Sequence, residues 1–276
     1  MTAGDGTQAS GTSSYAQANG LNMYYESHGE GEPLILLHGG VGASEMFGAN
    51  LPELAETRQV IAVHLQGHGH TADIVDRPMT YEAMADDVAA LIGHLGFERS
   101  DVMGYSLGGG VSLQAAIRHP EVVRKLVLVS TPFKREGWYP EVLAGMQMGP
   151  EAAESMTQSP LHDLYPHANW RALITKLSDL LRRDYDWSKD VEALKPQTML
   201  VYADADAVRM AHIVEFFGLL GGGKRDAGLD GTGRPESWLA IVPGETHYDV
   251  GSSPKLAAVV EPFLDAPMPE NQRSDR

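Results

Sequence analysis

The run Val102-Met103-Gly104-Tyr105-Ser106-Leu107-Gly108-Gly109-Gly110 is where this chain could do chemistry. An apolar strand pattern leads into Gly-x-Ser-x-Gly, and a helical pattern follows at once. A serine in that context sits on a sharp strand-to-helix turn, its hydroxyl lifted clear of the sheet. Gly104 and Gly108 have no Cβ, so neighbouring backbone can close around the turn. The helix start beyond it offers free N–H donors and the positive end of the helix dipole. The Leu107 N–H, directly after the serine, is placed to bind a developing oxyanion. A serine hydroxyl is a weak nucleophile at its ordinary pKa, so a base must take its proton as it attacks. The base in turn needs a group that orients it and stabilises its charged form.

Several elements must position these groups. Residues 33–38 read as a continuous apolar strand of the buried, parallel type, and residues 59–64 as the next. Further strands are predicted at 100–105, 124–130, 198–203 and 238–242. Residues 13–18 and 21–27 flank Asn19-Gly20, a type I′ hairpin signal. Thr80 caps a helix that carries Tyr81, Met84, Val88, Leu91, Ile92 and Leu95 on one face. A helix over 107–119 leaves the serine turn, and Ser253-Pro254 reads as an N-cap and first position of the last helix. Strands alternating with helices predict an α/β, doubly wound, mostly parallel sheet. Residues 132–195 break the alternation. They read as a helical cap insertion over the C-terminal edge of the sheet, with Met146, Met148, Met156, Trp138, Tyr139, Tyr165 and Trp170 for its core or a pocket wall. The expected organisation is a disordered leader over 1–12, a core over 13–131 and 196–265, the cap over 132–195 and a flexible tail over 266–276. Residues 221–235 read as an exposed loop.

Composition narrows the partners. The chain has 276 residues, 43% of them hydrophobic, enough for one large α/β domain with an insertion. Thirty-seven acidic residues against 21 basic ones give a net charge of −16, which disfavours nucleic acid and anionic membranes as partners. The absence of cysteine removes disulfides and thiolate chemistry and fits a reducing compartment, so a cytoplasmic location is expected. The expected partner is a small molecule, and oligomeric state is not readable.

With these elements in place, the chain resembles the α/β-hydrolase-fold family, in its capped esterase and haloperoxidase-like branch. The resemblance runs from about Leu21 to Leu264. It rests on His38-Gly39-Gly40-Val41, Gly67-His68-Gly69, the Ser106 turn, Ala203-Asp204-Ala205-Asp206 and Pro243-Gly244-Glu245-Thr246-His247. The family order of serine, acid, histidine implies His247 as the base. His212 is the competitor, and its helical context reads as a helix surface. Two acids follow the strand that ends at Ala203. The family spacing selects Asp206 and leaves Asp204 to cap the strand end. The resemblance also implies Gly40 as the second oxyanion N–H beside Leu107. His38, Tyr105, Trp138 and Met146 are the candidate pocket residues. No cofactor is implied.

The implied reaction is attack on an ester or lactone through an acyl-enzyme, with acyl lactones and macrocyclic lactones as candidate substrates. Alternatives are cofactor-free perhydrolysis, carbon–carbon bond hydrolysis, and a receptor-like binding protein with little turnover. Serine at the turn separates the chain from haloalkane dehalogenases and soluble epoxide hydrolases, which resemble this fold but use aspartate there. The chain departs from the family at His64, where aspartate is common. His64, His68 and His70 invite a metal reading, but only Asp73 stands near as an acid, so no metal is expected and His64 is read as a turn-shaping residue.

Overall fold

The computed structural model describes residues 11–268. The leader and tail expectations therefore lie mostly outside the described residues, although Thr12 already belongs to the first strand.

The chain opens with a hairpin, β1 (Thr12–Ala18) and β2 (Leu21–His28), paired antiparallel. Its turn is Asn19-Gly20, both with positive φ (48° and 87°), as the type I′ signal requires. β3 (Glu32–Leu37) is followed by the short helix α1 (Asn50–Leu54) and β4 (Arg58–Val63). The helix α2 (Tyr81–His94) starts where Thr80 Oγ1 accepts the Ala83 N–H at 3.0 Å. β5 (Ser100–Tyr105), α3 (Leu107–Arg118) and β6 (Val123–Val129) form the next unit. Five helices then run without a strand: α4 (Pro140–Gly145), α5 (Pro150–Met156), α6 (Pro160–Leu164), α7 (Trp170–Leu181) and α8 (Ser188–Glu192). β7 (Gln197–Ala205), α9 (Met210–Leu219), β8 (Trp238–Thr246) and α10 (Leu256–Asp265) complete the described chain.

The eight strands lie in the order β1-β2-β4-β3-β5-β6-β7-β8. Everything from β4 to β8 is parallel. This is the expected doubly wound, mostly parallel α/β sheet. The interior of β3 and all of β5 are buried on both faces, because helices cover each side of a parallel sheet. One apolar core, with Ile35, Val88, Val111 and Leu128, lies on the face covered by α2, α3 and the helical insertion. A second, with Leu36, Met103, Val129 and Phe263, lies on the opposite face with α10. The strand order reverses direction at β3 and β5. Such a switch point opens a crevice at the C-terminal strand ends.

The last helix departs from the expectation. It begins at Leu256, not at Pro254. Ser253 Oγ donates to Glu245 and accepts the Lys255 N–H, closing a turn before the helix instead of capping it. Two contacts tie the insertion to the loops after β3 and β4. Tyr165 donates its hydroxyl hydrogen to Glu45. Lys176 Nζ pairs with Asp73 at 2.7 Å and donates to the carbonyls of Ile74 and Arg77.

Candidate active site

Ser106 joins β5 to α3 with φ 52° and ψ −111°, a left-handed conformation that an L-residue holds only when its surroundings dictate it. Those surroundings are tight. A Cβ on Gly104 would lie 2.2 Å from the Gly108 carbonyl oxygen, and one on Gly108 would lie 2.3 Å from that of Leu37. The turn is pinned by the Ser106 N–H on Val129 O at 2.9 Å and by Thr131 Oγ1 donating to Ser106 O at 2.9 Å. The Gly108 N–H on His38 O (3.1 Å) ties it to the loop after β3.

The structure brings three sequence-predicted side chains into one hydrogen-bonded line. Ser106 Oγ is 3.1 Å from His247 Nε2, and His247 Nδ1 is 3.2 Å from Asp206 Oδ1. The three come from the ends of β5, β7 and β8, so the parallel sheet sets their spacing. Asp206 also accepts the backbone N–H groups of Ala203 and Val208, each at 3.0 Å, and the Ser130 hydroxyl. Burial works to raise this carboxyl, but His247, Ser130 and the Val208 N–H outweigh it and hold the group below its ordinary value. It is thus an ionised, fully engaged acceptor that faces the imidazole. Asp204 points elsewhere and accepts the Gly244 N–H at 2.9 Å, shaping the loop that carries His247.

Gly40 and Leu107 are neighbours: a Cβ on Gly40 would lie 3.9 Å from the Leu107 Cβ. Among the described residues neither N–H donates a loop or turn hydrogen bond. Two free donors thus flank the serine, as an oxyanion site requires. Val41, next in the loop, has φ 58°, unusual for a β-branched residue, and its N–H rests on His68 Nε2 at 3.3 Å.

A cavity of about 470 Å³ opens in front of Ser106. Val142, Met146, Met148 and Leu177 from the insertion face Val41 and Met46 across it. Of the candidate pocket residues, Tyr105 and Met146 line this cavity. Tyr105 also donates its hydroxyl hydrogen to His247 O, and burial, with Asp206 and Asp249 nearby, pushes its pKa up.

His38 and Trp138 are corrections, because neither is among the cavity-lining residues. His38 is buried beneath the loop, donating from Nδ1 to Gly39 O (2.7 Å) and accepting the Leu65 N–H on Nε2 (3.1 Å). Trp138 sits edge-on to His247 at 5.2 Å between centroids, a wall for the imidazole. His212 is a third correction. It is buried, stacks on Phe133 and accepts the Phe133 N–H at 3.2 Å. Its helix packs this side inward, which its polar type concealed.

His64 closes the 64–70 turn. Its Nδ1 accepts the His70 N–H at 3.0 Å, which leaves the proton on Nε2 for Ser44 Oγ at 3.1 Å. Among the described residues no group of three or more His, Cys, Asp or Glu is arranged to hold a metal ion. Sequence reasoning missed Ser130 and most of the apolar wall. Ser130 carries no local signal beyond its place at a strand end.

The sequence profile of the alpha/beta hydrolase fold matches residues 32–152. A 2-hydroxymuconate semialdehyde hydrolase of Pseudomonas sp. (strain CF600) is 37% identical over 117 residues, 41% of each chain. A pimeloyl-[acyl-carrier protein] methyl ester esterase of Neisseria meningitidis serogroup B is 40% identical over 119 residues, 42% of this chain and 43% of that one. The matched region thus spans about two-fifths of these relatives. A thermophilic esterase from Thermogutta terrifontis has the same fold, with a TM-score of 0.67 at 22% identity over 93% of this chain and 98% of that one.

Proposed function

We propose that this chain, an α/β-hydrolase-fold protein, is a serine hydrolase that cleaves a carboxylic ester or lactone through an acyl-enzyme. The observation that carries the reading is the unbroken line Ser106 Oγ–His247 Nε2–Asp206 Oδ1, with steps of 3.1 and 3.2 Å. His247 takes the Ser106 proton as Oγ attacks the carbonyl carbon. Asp206 accepts from Nδ1, fixes the tautomer that leaves Nε2 free, and stabilises the imidazolium. The Gly40 and Leu107 N–H groups receive the negative charge on the former carbonyl oxygen. Collapse expels the alcohol, which takes the proton back from His247. Water, deprotonated by the same imidazole, then releases the acid and restores Ser106. The helical insertion acts as a cap, and its apolar wall supports a small or medium substrate. The cavity volume falls in the range of small-molecule sites, about 300–1,000 Å³.

Carbon–carbon bond hydrolysis is the second reading. It draws on the relative from Pseudomonas, named for 2-hydroxymuconate semialdehyde. The test is stopped-flow hydrolysis of p-nitrophenyl esters. An acyl-enzyme path gives a nitrophenol burst of about one equivalent per Ser106 when deacylation is slow, or linear turnover when it is fast. Both vanish in Ser106→Ala. Wild-type ester turnover that persists in that variant contradicts the proposal.

A further inference from the structure

The charge of the cavity lining is one-sided. Among the described residues that line it, none is lysine or arginine. The carboxylate on the lining is Glu141, an exposed residue in the first turn of α4, next to the apolar Val142. Four of the insertion's cations are held elsewhere, and Arg171 lines a neighbouring recess that shares Met148 with the cavity but is not on the cavity lining itself. Lys176 is bound to Asp73 and the carbonyls of the 74–77 loop. Lys134 pairs with Glu215, and Arg182 with Asp179. Arg135 donates to Leu181 O and lies 3.6 Å from Asp184.

We infer that the site takes an uncharged, largely aliphatic ester and that Glu141 turns away substrates with an anionic group on the part that fills the cavity. This rests on the serine-hydrolase reading and narrows it. A carboxylate that enters the cavity sheds water and meets Val142, Met146, Met148 and Leu177, with no cation to replace its hydration. Glu141 adds repulsion, and the net charge of −16 adds a weaker field over the whole surface. Neutral aliphatic chains lose nothing on entry and gain burial against the same side chains. The inference also separates the two readings above, because a muconate is a carboxylate and would lack a partner in this cavity.

The test compares two p-nitrophenyl esters with five-carbon acyl groups. The pentanoate ends in a methyl group and the glutarate monoester in a carboxylate. The readout is the ratio of their kcat/KM values in one preparation, so differences in the amount of active protein cancel. Wild type is expected to prefer the pentanoate by roughly tenfold or more. Glu141→Gln should cut that preference about threefold and Glu141→Lys further, with the effect of Lys fading at high salt. Equal use of the two esters by wild type, or a preference that Glu141→Lys leaves unmoved, overturns the inference. Ester turnover would in either case leave the hydrolase reading standing. A wild type that hydrolyses neither ester and takes no serine-directed label overturns both.

Discussion

Lowering the pH from 7 to 5 should strongly destabilise this protein through four histidines that take no part in the proposed chemistry. His38, His64, His68 and His212 are buried. Each accepts a backbone N–H, from Leu65, His70, Val41 and Phe133 in turn. Burial holds His38 down to about 4, His64 and His212 down to about 3, and His68 also well below its ordinary value. Protonation would set an N–H against an N–H at every one of these contacts. The folded values lie below the unfolded value of about 6.5. Between the two, the unfolded chain binds protons that the folded chain refuses, so stability falls as pH drops from about 6.5 towards 4 and 3. At pH 5.5 an unfolded histidine carries about 0.9 proton, so four give a slope of roughly 5 kcal/mol per pH unit. From pH 7 to 5 the loss is about 7 kcal/mol, against a total stability of about 5–15 kcal/mol for an ordinary domain. Urea unfolding across that range, followed by circular dichroism, measures it. His212→Gln keeps an acceptor but removes one titration, so its slope at pH 5.5 should be smaller by about one proton. A wild-type stability that changes by less than about 1.4 kcal/mol between pH 7 and 5 would refute the reasoning.

Three further outcomes follow from the geometry. Asp206→Asn should lower kcat by roughly a thousandfold or more, because the amide cannot hold the required imidazole tautomer, whereas Asp204→Asn should cost less than about tenfold. Steady-state rates on one ester decide between them. Gly104→Ala should fail to yield folded protein, since its Cβ would meet the Gly108 carbonyl at 2.2 Å, while Gly40→Ala, with 3.9 Å to Leu107, should fold and keep its N–H. Soluble yield and thermal melting separate the two. Lys125→Met should destabilise the fold by about 3 kcal/mol in urea unfolding, because the buried amine satisfies the Phe263, Leu264 and Ala266 carbonyls at the end of α10.

The parts of the site legible in the sequence were those fixed by backbone geometry. A serine between Gly104 and Gly108 at a strand end admits few other structures, and the apolar runs marked β3 to β7 to within about two residues of their ends. The ends of parallel strands share one edge of the sheet, but the assignment of His247, and of Asp206 in place of Asp204, came from the resemblance to the α/β-hydrolase fold, because nothing local distinguishes the two acids. The pocket was less legible, because side-chain direction depends on packing between distant segments. His38 and Trp138 stand close to the reactive groups along the chain or in space, yet one faces the loop above it and the other props His247. His212 reads as a surface residue until Phe133 stacks on it. Ser130, bonded to Asp206 from the neighbouring strand, has nothing local to mark it.

The proposed chemistry requires Ser106 to be an activated nucleophile. Intact mass after treatment with a fluorophosphonate measures this most directly, with Ser106→Ala alongside. One adduct is expected on the wild type, lost in Ser106→Ala and greatly slowed in Asp206→Asn, with the melting temperature of Ser106→Ala close to that of the wild type. A folded wild type that takes no adduct, or a Ser106→Ala protein labelled as readily as the wild type, would contradict it.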